Sequence, residues 1–179
     1  MKSAMKWAIA SLVALNLPWM TAETARAGAI KSLASFQCQQ VNGYYATVAV
    51  QRNGRTAPVI AWTSEEFSDA GYTPQRRCGE VTSRLNGVLR ENGNRLSNIY
   101  LTVGRVNSHT VVCSVGNMRS GCNRNNVLFT LSQTNRRSND PREVLERLFN
   151  TRVLSSGNPV QESGGQPYVN LESLVNQLF

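Results

Sequence analysis

Six short stretches of the chain have the pattern of β-strands, with apolar residues at alternate positions or in short runs. Asn-Gly pairs at residues 42–43 and 53–54 separate the first three stretches, and both residue types tolerate the positive φ of a tight hairpin turn. We therefore predict that the first three strands form an antiparallel meander. The predicted strands cover residues 33–38, 44–50, 57–62, 98–105, 109–115 and 126–132.

Three other stretches repeat apolar residues every three or four positions, which is the period of an α-helix. The clearest one has Thr73 as a predicted cap, Pro74 at its first position and Asn92-Gly93 at its end. Asp140 and Asn170 are predicted to cap the other two helices. The pattern predicts an α+β fold, in which a mainly antiparallel sheet of about six strands carries two to three helices packed on one face.

The N-terminal region has the features of a secretory signal peptide. Two lysines precede an apolar run at residues 7–17, and small residues at positions 25 and 27 match a signal peptidase site. The apolar run is shorter than the roughly 20 residues that a membrane span needs. We predict a signal peptide at residues 1–27 and a single disulfide-stapled domain at residues 28–179. Within that domain, a glycine-rich connection at residues 155–167 precedes the C-terminal helix.

The formal net charge of the whole chain is +8. The signal peptide holds three basic residues and one acidic residue, so its removal lowers the net charge to +6. Nearly all the remaining positive charge is arginine, which binds carboxylates, phosphates and sulfates through a planar fork. We expect the partner to be an anionic membrane surface or an envelope protein rather than nucleic acid. A net charge of this size can also serve solubility alone, and we favour this simpler interpretation of the charge.

The four cysteines that follow the signal peptide predict two disulfide bonds, because their number is even and the predicted route is export. Cys38, Cys78 and Cys113 lie on apolar faces that point toward the inferred core. Sequence alone permits three pairings, of which we favour Cys38–Cys78 and Cys113–Cys122. No metal site is predicted, since no Cys-x-x-Cys occurs and His109 is the one histidine of the chain.

Cys78 could instead be a reactive thiolate, because Arg76 and Arg77 precede it near the start of a predicted helix. That alternative would leave another cysteine unpaired, and a cysteine nucleophile usually needs a histidine base. His109 is the one candidate for such a base. We therefore favour the structural disulfide.

Arg76 and Arg77 are also unusual as cations near a helix N-terminus, where they oppose the helix dipole. This position makes them candidates for binding an anion. The alternative is that Glu65, Glu66 and Asp69, just upstream, pair with them as ordinary surface ion pairs. No catalytic residue and no cofactor is predicted from the sequence.

The chain contains, in order, Phe-x-Cys, Trp-x-Ser-x-x-Phe, Gly-Tyr-x-Pro-x-x-Arg-Cys and Val-x-Cys, which end at Cys38, Phe67, Cys78 and Cys113. This ordered series, together with "LFTL" at 128–131 and "DPREVLERL" at 140–148, resembles the cyanobacterial circadian oscillating protein family. The resemblance implies a cyanobacterial source, export, peripheral association with a membrane and no enzymatic activity. It implies no ligand or catalytic residue for this chain.

Two functional hypotheses follow. The first is an exported, non-catalytic binding module in the periplasm, thylakoid lumen or extracellular space, docked on a membrane surface or an envelope protein. The second is a small extracytoplasmic enzyme that acts on an anionic substrate near Arg76 and Arg77, with Glu65 or Glu66 in the same pocket. The second hypothesis requires a concave site at the start of the helix where these side chains converge. The oligomeric state, the molecular activity and the ligand are not predicted.

Overall fold

A computed structural model describes residues 33–135, 140–149 and 166–179. The predicted signal peptide and the part of the glycine-rich connection at residues 155–165 lie outside the described residues. All the described residues fall within one structural unit, which spans Lys31–Phe179.

The predicted meander is confirmed. Strands β1 (Leu33–Val41), β2 (Tyr44–Gln51) and β3 (Thr56–Trp62) form a three-stranded antiparallel sheet in that order. The β1–β2 turn places Asn42 and Gly43 at φ values of 49° and 86°, which is the left-handed conformation that this residue pair favours.

Helix α1 (Pro74–Glu91) also follows its sequence signals closely. The Thr73 side chain caps it by accepting a hydrogen bond from the Arg76 N–H. Pro74 suits the first helical position because proline lacks a backbone N–H, and an N–H at this position would have no acceptor within the helix. Gly93, at a φ of 66°, then turns the chain away after the C-cap Asn92. The buried side chains of the helix are Cys78, Val81, Thr82, Leu85 and Leu89.

The remaining strands form a second sheet. Its strands are β4 (Tyr100–Val106), β5 (His109–Val115), β6 (Val127–Thr130) and β7 (Tyr168–Asn170), all paired antiparallel in the order β6-β5-β4-β7. Helix α2 (Pro141–Phe149) lies between β6 and β7 in the chain, and helix α3 (Leu171–Gln177) follows β7.

The prediction of one sheet was wrong, although the α+β class and the antiparallel pairing are confirmed. Among the described residues, no hydrogen-bonded ladder joins the two sheets. They meet instead through side chains, where the ring of Trp62 on β3 lies edge-on to Phe129 on β6 with 5.2 Å between the ring centroids. We call this place the sheet junction.

Strand β7 was also missed, because its three residues lead directly into the predicted cap of the last helix and are too few to show the period of a strand. Tyr168–Asn170 pairs with Tyr100–Thr102 of β4 before the chain turns into α3. Asn170 does cap α3 as predicted, since its side chain accepts a hydrogen bond from the Ser173 N–H at 2.9 Å. A short segment can thus end a strand and start a helix at the same residue.

One core cluster joins both sheets and all three helices. Trp62 is 3% exposed, and its indole N–H donates to the hydroxyl of Thr47, which in turn shares a hydrogen bond with Thr82 of α1. Asn86 of α1 fixes the helix to β1, because its amide both accepts from the Phe36 N–H and donates to the Phe36 carbonyl.

The structure contains the favoured disulfide pairing. Cys38–Cys78 links β1 to α1, and Cys113–Cys122 closes the loop that follows β5. Cys113 is fully buried, but it does not belong to the main core cluster, whereas its neighbour Val112 does. The expectation that Cys113 points into the protein interior is borne out by this burial, and its disulfide with Cys122 places it beneath the loop that follows β5.

Candidate functional site

Arg76, the first of the two arginines singled out in the sequence, forms local contacts on the surface of α1. Its Nε lies 2.8 Å from Oε1 of Glu80, one helical turn further on. The guanidinium stacks on the exposed ring of Tyr72 and donates to the Gly71 carbonyl. The hydrogen bond with Glu80 and the charge of that carboxylate raise the pKa of Arg76. Its ion-pair partner is therefore Glu80 rather than Glu65, Glu66 or Asp69.

Arg77 has a different environment. It is half-buried at the sheet junction, where its guanidinium lies 4.9 Å from the centre of the Trp62 ring and 5.0 Å from that of Phe67. Its Nη1 donates to the Ser64 carbonyl at 3.2 Å. Burial lowers the pKa of Arg77, and the charges of Glu66 and Glu65 only partly oppose this effect. Within the described part of the chain, Arg77 forms no ion pair with a carboxylate.

A pocket of about 470 Å³ lies beside Arg77, between the first half of α1, the loop before it and strand β6. We call it the α1–β6 pocket. It brings together Arg77, Arg84 and His109; Arg84 has no signal in the sequence as a site residue, and His109 was considered only as a base for Cys78. Its other lining residues are Phe67, Ala70, Tyr72, Glu80, Val81, Val127, Phe129 and Thr130.

Arg84 forms the boundary between this pocket and a second one. Its Nη1 donates to the Leu128 carbonyl on β6, and its Nη2 lies 3.6 Å from Oε2 of Glu80. The second pocket, of about 480 Å³, lies on the other side of Arg84. Its wall is rich in amide side chains, and it includes Asn92, Asn98, Asn125 and Asn126.

A basic surface lies on the loop at residues 116–126, which Cys113–Cys122 closes; we call it the basic loop. It carries the exposed Arg119 and Arg124, and the guanidinium of Arg124 donates to the side chain of Asn107 in the β4–β5 turn. Met118 is 47% exposed at the same place. A signal for this surface was present in the sequence, since residues 92–139 contain six arginines and no aspartate or glutamate.

Hydrogen bonds hold the basic loop in place. The Asn117 side chain accepts from the Arg119 N–H at 2.9 Å and from the Ser120 hydroxyl at 3.1 Å. The hydroxyl of Tyr168 on β7 donates to the Ser120 carbonyl, and partial burial raises the pKa of this tyrosine. The loop is thus a preformed surface, because some of its backbone N–H and C=O groups already have hydrogen-bond partners in the protein.

All four cysteines are in disulfide bonds, so Cys78 does not provide a free thiol. Over residues 33–135, 140–149 and 166–179, no cluster of three or more His, Cys, Asp or Glu side chains could hold a metal ion. In the same residues, no helix is long and apolar enough to cross a membrane. Two disulfides are typical of proteins in an oxidising compartment outside the cytoplasm.

Comparison with known families identifies the chain. The sequence model of the family "Circadian oscillating protein COP23" matches residues 35–176. The chain belongs to the COP23 family. The resemblance read from the ordered motifs is thereby confirmed, and the COP23 match includes both disulfides, the α1–β6 pocket and the basic loop. No curated protein and no solved structure matches the chain.

Proposed function

We propose that this COP23 family member is an exported, non-catalytic binding module that docks on an anionic membrane surface through the basic loop. The observation that carries the proposal is Met118, an exposed apolar side chain next to Arg119 on a loop that a disulfide closes. Peripheral membrane proteins combine these two elements, because the apolar group enters the lipid interface while the cations attract the headgroups.

The energetics favour such a contact. Each arginine near an anionic surface contributes about 1 kcal/mol of attraction, and Arg119 and Arg124 are both exposed on the loop. Burying a methionine side chain adds roughly 1.5–3 kcal/mol when it leaves water completely. The disulfide and the Asn117 hydrogen bonds reduce the entropy that the loop would otherwise lose on docking.

The chemistry of the chain supports the exported location. The N-terminal pattern of a signal peptide and the two disulfides are consistent with the same route. The enzyme hypothesis depended on Arg76, Arg77 and Glu65 or Glu66 converging in one pocket. Of these residues, Arg77 alone lines the α1–β6 pocket, so no convergence favours a reaction there.

Co-sedimentation with lipid vesicles tests the docking proposal. We expect the protein to bind phosphatidylcholine vesicles that contain phosphatidylglycerol at low salt, and to be released as salt screens the charges. The variant Arg119→Gln/Arg124→Gln should bind about tenfold more weakly or worse, and Met118→Ser should also weaken binding. A matched control, Arg52→Gln/Arg90→Gln, removes two exposed arginines from β2–β3 and α1 and should bind nearly as the wild type does.

The outcomes separate the alternatives. If the protein fails to bind anionic vesicles even at low salt, direct lipid docking is wrong and an envelope protein becomes the better partner. If the control variant loses as much binding as the loop variant, the attraction is a property of the net charge and the basic loop has no special role.

A further inference from the structure

The α1–β6 pocket carries a second inference that does not depend on membrane docking. We infer that it binds a small organic oxoanion, that is, a carboxylate or phosphate group joined to an apolar body. The two halves of this ligand match two sets of side chains that line the pocket, the arginines and the apolar residues.

Arg77 is the side chain from which we infer that the ligand is an anion. Its guanidinium is half-buried between the rings of Trp62 and Phe67, so it has lost part of its hydration. In the described structure it donates a hydrogen bond to the Ser64 carbonyl, while the carboxylates of Glu66 and Glu65 act on it through their charge and form no ion pair with it. A partly desolvated arginine has donors left over, and a planar oxoanion can accept from two of them at once.

A second arginine and an imidazole also line this site. Arg84 is held in the pocket wall by its bond to the Leu128 carbonyl, and His109 supplies an imidazole from the start of β5. Glu80 also lines the pocket, but its carboxylate already contacts Arg76 and Arg84. Its charge is therefore largely balanced before a ligand arrives.

The apolar wall determines the second half of the ligand. Phe67, Val81, Val127 and Phe129 line the pocket, and Tyr72, which is 44% exposed, stands at its outer side. Inorganic phosphate would leave these apolar side chains in contact with water, whereas a ligand with a ring or a short alkyl chain would cover them. A volume of about 470 Å³ is within the range of small-molecule sites.

The position in the fold explains why such a pocket exists. The two sheets do not pair at the sheet junction, so the space between β6 and the loop before α1 is filled by side chains rather than by a backbone ladder. Phe129 and Arg77 contribute to both the junction and the pocket wall. The pocket is thus formed by packed residues and is largely present before a ligand binds.

Isothermal titration calorimetry and NMR chemical-shift mapping with four probes test the inference. Phenyl phosphate and benzoate carry both halves of the ligand, inorganic phosphate carries the anion alone, and benzyl alcohol carries the ring alone. We expect phenyl phosphate or benzoate to bind at least about tenfold more tightly than the other two, because only they use both sets of side chains. The stronger of the pair then distinguishes a phosphate from a carboxylate ligand.

Four variants, one of them a control, locate the binding. Arg77→Met and Arg84→Met should each weaken the best probe about tenfold or more, and Arg90→Met, on the last turn of the same helix, should leave binding unchanged. Ala70→Trp fills the pocket from an exposed loop position without changing any charge. We expect this variant to abolish binding of the best probe, because the ring occupies the space of the ligand. This variant keeps the test decisive if Arg77→Met unfolds the protein.

Two results would overturn the inference. One is that neither phenyl phosphate nor benzoate binds the wild type more tightly than inorganic phosphate does. The other is that the best probe binds a folded Ala70→Trp variant with unchanged affinity or shifts resonances away from the pocket. Vesicle binding is measured separately and involves the basic loop, so either proposal can fail while the other stands.

Discussion

At the scale of single residues, neighbours in the sequence have separate roles in the structure. Arg76 and Arg77 are adjacent in the chain, but successive helix positions point roughly 100° apart. One guanidinium therefore lies on the surface with Glu80, and the other is half-buried against Trp62 and Phe67. The sequence identified the pair as unusual, but only the fold distinguishes their environments.

Which residues come together in the candidate site could not be predicted from the sequence. His109 joins Arg77 in one pocket because β5 lies next to β6 and β6 next to α1, which is a matter of long-range packing. Asn86 likewise shows no special pattern within α1, yet both groups of its side-chain amide bond the backbone of Phe36. Local periodicity carries no information about such distant partners.

Replacing Asn86 tests how much this contact contributes to stability. Asn86→Ala removes two hydrogen bonds and leaves the Phe36 N–H and carbonyl without their side-chain partner. We expect a loss of about 1–3 kcal/mol in the free energy of unfolding, measured by urea denaturation. The control Ser83→Ala, at an exposed position of the same helix, should change it by less than about 0.5 kcal/mol. Equal effects of the two substitutions would contradict a special role for Asn86.

At the scale of secondary-structure elements, the sequence predicted the features that depend on residues close together in the chain, such as the ends of a helix. Helix α1 begins and ends where Thr73, Pro74 and Gly93 predict, because capping and backbone preference act within a few residues. The division into two sheets, with β3 in one and β6 in the other, was missed. Both stretches have the pattern of a strand, and that pattern does not show which strands pair. Strand β7 was missed because three residues are too few to define a period.

The packing of the basic loop against β4 provides a test at this scale. A Cβ atom on Gly104 would lie 2.9 Å from both Cβ and Sγ of Cys122, so the strand needs a glycine where the disulfide crosses it. We expect Gly104→Ala to lower the free energy of unfolding by about 1–3 kcal/mol through this overpacking. Thermal and urea denaturation measure the change.

Gly116→Ala is the matched control for that substitution. Gly116 lies at the start of the same loop, and a Cβ atom there would meet nothing within 4 Å. Its stability should stay within about 0.5 kcal/mol of the wild type. A Gly104→Ala protein as stable as the Gly116→Ala protein would mean that the loop moves aside without cost.

At the scale of the whole molecule, the two disulfides constrain the chain over very different distances. Cys38–Cys78 joins residues 40 positions apart, and Cys113–Cys122 joins residues 9 positions apart. Cysteine number and a predicted export signal were enough to anticipate two bonds. The pairing favoured from the sequence among the three is the one present, and the arrangement of β1 next to α1 explains why Cys38 and Cys78 meet.

Removing each bond separately tests this difference. In the chain-entropy description, a loop of 40 residues stabilises the fold by roughly 4 kcal/mol and one of 9 residues by roughly 2.5 kcal/mol. We expect Cys38→Ala/Cys78→Ala to lose more stability in urea denaturation than Cys113→Ala/Cys122→Ala does. Each pair has one fully buried cysteine, so the cavity costs are comparable. The reverse order of stabilities would show that loop closure is not the dominant effect.

The attachment of α1 to β1 and β6 also bears on aggregation. The outer strands of an open sheet present unpaired backbone groups to which another chain can add a strand. Asn86 occupies such groups at Phe36, and Arg84 occupies the carbonyl of Leu128, so one helix shields a strand in each sheet. Cys38–Cys78 ties that helix down. Reduction of this bond should therefore loosen α1 from β1 and expose strand edges through which copies of the protein can self-associate.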